Sequence, residues 1–266
     1  MNKLMTQSFT LAAVVAGLLS TATAADWGDL KLKFVLDGKF TPLPALKVDK
    51  DPAVCDKAPM PDETLVVSAA GGIANVVVFL VPEKGAPLDI HPDYEKEKTA
   101  AVELDNKACR FQPHVVFVRT GQTLKLKNSD PVGHNSKLDF VTNLSQNPII
   151  PGSATVEIKG SDLSKPEKRA TPVSCSIHPW MNAYVLVQDH PYMAKSNAEG
   201  ELVIKNVPAG KFTFQVWQEK IGFLSDKNTV DKDGKPVAWP KGKATITIKA
   251  GDNDQGSFKV KYTPTP

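Results

Sequence analysis

A cysteine, a histidine and a methionine recur at intervals of three residues in Ser174-Cys175-Ser176-Ile177-His178-Pro179-Trp180-Met181. Soft sulfur ligands suit copper and imidazole suits it as well; two histidines and a cysteine with a weak axial methionine make a single-electron transfer site. The run holds one histidine only, so a second must come from elsewhere. His134, in Asn128-Ser129-Asp130-Pro131-Val132-Gly133-His134-Asn135, is the best placed. Cys175 would ligate as the thiolate, since only the deprotonated form binds and a metal depresses a thiol pKa. Pro179 helps fix the tight turn that wraps the loop around one ion. Met181 would be the weak axial ligand whose distance tunes the potential.

The elements that must position these residues read as strands. Val102-Glu103-Leu104, Cys109 to Val118 and Thr120 to Asn128 are successive β segments joined by tight turns. A further strand spans 154 to 159, and Ala183 to Gln188 closes the sequence after the ligand loop. A Phe-x-Pro followed by a Gly-x-Thr turn, an alternating strand and a loop ending in His-Asn, then Cys-x2-His-x2-Met, resembles the small blue-copper proteins, the cupredoxins. The His-Pro-aromatic-Met wording is closest to their amicyanin and plastocyanin type. The resemblance covers about residues 101 to 190. It implies a Greek-key β-sandwich, one copper ion cycling between Cu(I) and Cu(II), and His134, Cys175, His178 and Met181 as its ligands. It also implies that His178 passes the electron through an apolar patch to which Pro179 and Trp180 contribute. Asn135 is the natural outer residue, its side chain reaching across to the cysteine loop at Ser176 and tuning the sulfur; otherwise it is a turn former.

The three cysteines cannot all pair. If Cys175 holds the metal, Cys55 and Cys109 remain as a disulfide. The competing reading places Cys175 in the disulfide and leaves no metal site. The compartment bears on this, because disulfides persist where it is oxidising. Lys3, an apolar run from Leu11 to Leu19 and Ala22-Thr23-Ala24 read as a signal peptide over residues 1–24. A retained N-terminal anchor is the alternative, but the apolar run is too short to span a bilayer. The expected location is therefore the periplasm or another exported one, with no membrane span after signal removal. A net charge of +3 and the lack of basic clusters interleaved with aromatics argue against nucleic acid as a partner.

Outside the signal, helical periodicity is nearly absent, and the expected class is all-β: a cupredoxin-like sandwich plus a second small β-sandwich. Leu30, Leu32 and Phe34 alternate on one strand face, and Asn75 to Val81 is the continuous β-branched run of a buried strand. Thr41 to Glu63 is rich in proline and charge, an irregular loop that a disulfide through Cys55 would tie down. Residues 83 to 101 read as a solvated loop or short helix. From Ala198 to Trp217 a two-strand pattern with a Pro-Ala-Gly turn resembles the carboxypeptidase-regulatory-like modules, which implies an accessory module over 191–266. Residues 25–100 form an N-terminal β segment able to pair with either sandwich, in which case the 101–190 unit would be inserted.

An exported electron carrier is the first expectation, with a c-type cytochrome or periplasmic oxidoreductase as partner. A copper enzyme with an open coordination position is the second. His114, on a strand beside Cys109, is the candidate extra ligand there, burial or a surface role being its plain reading. An envelope binding or structural protein that merely carries copper is the third. Oligomeric state is not readable, and no Ser/His/Asp arrangement, paired catalytic carboxylates, phosphate loop or haem-attachment motif stands out.

Overall fold

The computed structural model describes residues 26–263, so the signal peptide expected over residues 1–24 lies outside the described residues. The chain is built almost wholly from strands. Two come first, β1 (Trp27–Leu36) and β2 (Val77–Val81), with a single helical turn, α1 (Pro52–Cys55), between them. Ten follow: β3 (Val102–Lys107), β4 (Arg110–Gln112), β5 (Val115–Arg119), β6 (Leu124–Asn128), β7 (His134–Asn135), β8 (Lys137–Leu138), β9 (Ile149–Ile150), β10 (Thr155–Ile158), β11 (Thr171–Ser174) and β12 (Asn182–Gln188). The last seven are β13 (Met193–Lys195), β14 (Glu201–Pro208), β15 (Gly210–Gln218), β16 (Gly222–Phe223), β17 (Thr229–Val230), β18 (Lys243–Ile248) and β19 (Gly251–Val260).

These strands form two sandwiches. One packs sheet β10-β6-β3-β4 against sheet β5-β12-β11-β8, with β7 and β9 paired at its edge. The other is built from both ends of the chain, in sheets β14-β1-β19-β17 and β13-β2-β15-β16, with β18 also paired to β15. The strands after residue 191 therefore do not close a sandwich by themselves. β1 lies between β14, antiparallel, and β19, parallel, and β2 lies between β13 and β15. The stretch 102–188 leaves after β2 and returns at β13, which pairs directly with β2 through Met193 opposite Phe79.

Side-chain pattern explains these placements. β1 alternates, burying Leu30, Leu32 and Phe34 in the terminal sandwich, while Lys31 and Lys33 on its outer face pair with Asp252 and Glu201. β2 is buried on both faces. Val78 and Leu80 enter the terminal core, whereas Val77 and Phe79 pack with Val115, Ala170 and Leu186 in a separate cluster where the sandwiches meet. That two-sided burial is why the run shows no polar alternation. Leu65 to Val67 makes only one isolated bridge, Val67 to Ile73, and the 83–101 segment contains one 3-10 turn at Pro92–Glu95. Residues 46 to 60 cross over: Leu46, Val48, Val54, Cys55 and Met60 pack on the core of the 102–188 sandwich. No helix among the described residues is long and apolar enough to cross a membrane.

His190 joins the two units as a neutral ring. Its Nε2–H donates to the Leu80 carbonyl at 3.0 Å and its Nδ1 accepts the Tyr192 N–H at 3.1 Å, so both nitrogens are used without a charge. Burial pushes its pKa down to about 4. The group's contribution to stability is complete above its ordinary pKa of about 6.5 and is lost as pH falls through 4, a swing of about 3 kcal/mol. Urea unfolding of the metal-free protein at pH 7, 5 and 4 should show that extra acid loss, and His190→Gln should remove it; parallel pH curves for the two proteins would contradict this assignment.

Candidate metal centre

The loop between β11 and β12 is a hairpin connection, which is why its ligand types sit so close in sequence. Ser174 pairs with Asn182 at the base. Above it the Cys175 N–H donates to the Met181 carbonyl at 3.3 Å and the Met181 N–H to the His178 carbonyl at 2.9 Å. This turn folds the chain back so that Cys175 and His178 face the same interior point. The second jaw follows β6. Asn128 ends that strand and its Nδ2 donates to the Val132 carbonyl at 2.8 Å and the Ile150 carbonyl at 3.0 Å, which fixes the 129–134 loop. His134 then pairs with Ile150, its ring directed inward and fully buried.

Donor atoms of His134, Cys175 and His178 lie within 4.8 Å of one another. Exposure is 0%, 2% and 0% respectively, so the three converge in a closed space. The two rings are 4.5 Å apart between centroids. Each histidine is held by a carboxylate on Nε2: Asp130 Oδ2 at 3.0 Å for His134 and Asp51 Oδ2 at 2.9 Å for His178. The inner nitrogens remain. His178 Nδ1 is 3.9 Å from the sulfur, and His134 Nδ1 is buried without a hydrogen-bond partner. A buried polar atom left unpaired is costly in a protein interior. Here its position beside a thiol and a second imidazole fits a metal ion, and one sulfur with two imidazole nitrogens is a donor set that suits copper. Met181, 1% exposed, shares the core cluster of Cys175 and closes the same loop. Cys109, Asp130 and His134 also cluster, but Cys109 is bonded to Cys55 and is no thiolate donor.

The surroundings of the sulfur favour the thiolate. Burial pushes the Cys175 thiol up, but His134 and the N–H groups of Asn135, His178 and Ile177 outweigh it and hold the pKa below the ordinary thiol value. The His178 N–H points at the sulfur at 3.4 Å. Asn135 spans the two jaws: its Oδ1 accepts the Ser176 N–H at 2.7 Å and the Ile177 N–H at 3.3 Å, and lies 3.4 Å from the sulfur. Ser176 is thus engaged through its backbone, its hydroxyl lying at 3.5 Å from Asn135 Nδ2. His134 is disfavoured as a cation by burial, yet the Asp130 carboxylate and the Cys175 sulfur raise its pKa to about 9. His178 moves the other way, lowered by burial against the opposing pull of Asp51.

Other expected residues are placed as follows. Cys55 and Cys109 form a disulfide, Cα atoms 5.3 Å apart. Pro179 is exposed; Trp180 is half-buried, edge-on to the His178 ring at 5.2 Å, with its Nε1–H donating to the Cys109 carbonyl at 3.1 Å. His114 stands apart from the donor group, its Nε2 2.6 Å from Glu219 Oε2 in the turn after β15, and so links the two sandwiches. Two residues lacked any expected role. Asp130 had a local signal, four residues before His134 in the same loop. Asp51 had none, being 127 residues from its partner in a stretch read as irregular loop.

Among solved structures, a proline-to-glycine variant of amicyanin in its reduced Cu(I) form is 17% identical over 34% of this chain and 83% of that one, with a TM-score of 0.29. A methionine-to-alanine variant of amicyanin with Cu(I) is 16% identical over 33% of this chain and 82% of that one, with a TM-score of 0.28. A copper-containing nitrite reductase from Thermus scotoductus SA-01 is 21% identical over 41% of this chain and 25% of that one, at a TM-score of 0.29. No family model and no curated protein matches. At such identities and TM-scores these likenesses carry no functional argument, and what the centre can do follows from its own donors.

Bound histidine must be neutral, so a metal ion entering the metal-free protein displaces the His134 proton. With that pKa raised to about 9, apparent affinity rises with pH up to about 9 and then levels. Titration with Co2+, an optical probe of thiolate and imidazole ligands, should show about a tenfold gain per pH unit between pH 7 and 9 and proton release in weak buffer. A flat profile across that interval would show His134 to be neutral beforehand.

Proposed function

We propose that the protein is an exported mononuclear copper protein that carries single electrons between redox partners. The observation that supports this best is the closed convergence of His134, Cys175 and His178, with the inner nitrogen of His134 unpaired. Cys175, His134 and His178 would hold the ion, with Met181 as the weak axial ligand; copper supplies a one-electron couple between Cu(I) and Cu(II).

The residues do the rest. Asn135 fixes the cysteine loop against the histidine loop, and the N–H groups around Cys175 stabilise negative charge on the sulfur. Asp130 and Asp51 orient the two rings, which keeps the donors in place through a change of oxidation state. All three donors are buried, which suits a carrier whose ion needs no substrate access. Ile177 and Pro179 are exposed on the loop and Trp180 is half-buried against His178, so this face would present the apolar patch to a c-type cytochrome or periplasmic oxidoreductase. The Cys55–Cys109 bond suits an oxidising compartment. The terminal sandwich, whose C-terminal stretch resembles an accessory module in sequence, packs against the unit through the cluster of Val77, Phe79, Val115, Ala170 and Leu186.

Copper loading should produce an intense visible thiolate-to-copper band and a reversible one-electron voltammetric wave. Cys175→Ala should abolish both while leaving the circular dichroism of the fold in place. Loaded protein that lacks the band, or a band that survives in Cys175→Ala, would falsify the assignment. A shift of the spectrum on adding small exogenous ligands would favour the enzyme reading instead.

A further inference from the structure

The outer histidine is covered by a part of the chain that lies far before the sandwich holding the metal ligands. Asp51 is 44% exposed at its side chain, yet its Oδ2 reaches the completely buried His178 Nε2 at 2.9 Å. Its backbone is left-handed, φ 47° and ψ 47°, a conformation that costs most residues energy but that aspartate and asparagine tolerate. It is held there by the turn that follows it. The Asp51 carbonyl accepts the Val54 and Cys55 N–H groups at 2.9 Å, and α1 ends in Cys55, which the disulfide fastens to Cys109. Cys109 in turn accepts the Trp180 indole N–H, and Trp180 packs on the other edge of His178.

We propose that Asp51 is a positioning residue for the copper centre: its carboxylate fixes the ring of His178, raises the ring's donor strength and thereby favours Cu(II) over Cu(I). A carboxylate on the far nitrogen of a metal-binding histidine sets its tautomer and orientation and makes the inner nitrogen a stronger donor. A stronger, anionic environment stabilises the higher charge more than the lower. The geometry has a second consequence. Because the 46–60 segment closes over His178 Nε2, an electron leaves through the Ile177–Trp180 face beside the ring and not through a solvent-facing imidazole edge.

The inference rests on the copper reading above, and the experiment separates the two. Wild type, Asp51→Asn and Asp49→Asn are loaded with copper; the visible band, the Cu(II) and Cu(I) affinities by competition, and the midpoint potential are measured. Asp51→Asn suits the left-handed backbone and removes only the charge, while Asp49→Asn removes the same charge from an exposed neighbour that makes no contact with the site. Asp51→Asn should keep the band, lose about tenfold in Cu(II) relative to Cu(I) affinity, and rise in potential by about 59 mV, the one-electron equivalent of that ratio. Asp49→Asn should match wild type. A wild-type band with an unchanged affinity ratio in Asp51→Asn overturns the role of Asp51 alone, as does an equal shift in both variants. A wild type without the band removes the copper reading, and this inference with it.

Discussion

Placing a sulfur and two imidazoles together without water is the constraint from which the rest of the site follows. Each of the three groups is buried to 2% exposure or less. Burial opposes charge on every one of them, so an unpaired set would be expensive. The surrounding residues answer atom by atom. Asp130 takes one outer nitrogen, Asp51 the other, and N–H groups from the loop gather round the sulfur. Only the inward nitrogen of His134 and the sulfur side of His178 are left without a strong partner, and these point at each other's neighbourhood. Such a cluster suits a shared ion pair or a metal ion.

Cys109 carries more of this arrangement than its role in a disulfide would suggest. Its N–H donates to Asp130 Oδ2 at 2.8 Å, the same oxygen that holds His134. Its carbonyl receives Trp180, which packs on His178. Its sulfur is joined to Cys55, which ends the turn that Asp51 begins. One residue therefore reaches both histidines by three routes, through a carboxylate, an indole and a covalent bond. By chain entropy alone, closing a loop of this length stabilises the fold by about 4 kcal/mol. The local effect is at least as important: it keeps a proline-rich, otherwise irregular segment seated on the metal-side core.

Legibility in the sequence followed the range of the contacts. The Cys175 to Met181 spacing was readable because one hairpin turn creates it, and alternation in β1 was readable because a single strand face is buried there. His134 and Asn135 were candidates because they follow β6, a strand whose alternation is local, by one short loop. Asp51 could not, since its role depends on a disulfide and a crossing segment that no short window contains. The same holds for the terminal sandwich. The parallel pairing of β1 with β19 joins residues more than 200 positions apart, and nothing in either strand names its partner. The run in β2 announced burial but not that its two faces serve two different cores.

The division into sandwiches does not coincide with a division of the site. By strand pairing, residues 102–188 form a complete pair of sheets, and they include His134, Cys175, His178 and Met181. They do not include Cys55 or Asp51. A chain cut to those strands would leave Cys109 without its partner, giving the buried core a second thiol on the residue whose N–H holds the carboxylate that serves His134. It would also open the Nε2 edge of His178 to water, where the wild-type ring is fully covered. The segment between β1 and β2 is thus as much part of the centre as the ligand loop. The inserted unit is also fastened to the terminal sandwich, through the His114 and Glu219 pair, the edge contact of Tyr184 with Trp217 at 4.8 Å and the shared cluster around Val77 and Phe79. The strap itself packs on the 102–188 core and is bonded there to Cys109, so it stays with the ring it holds.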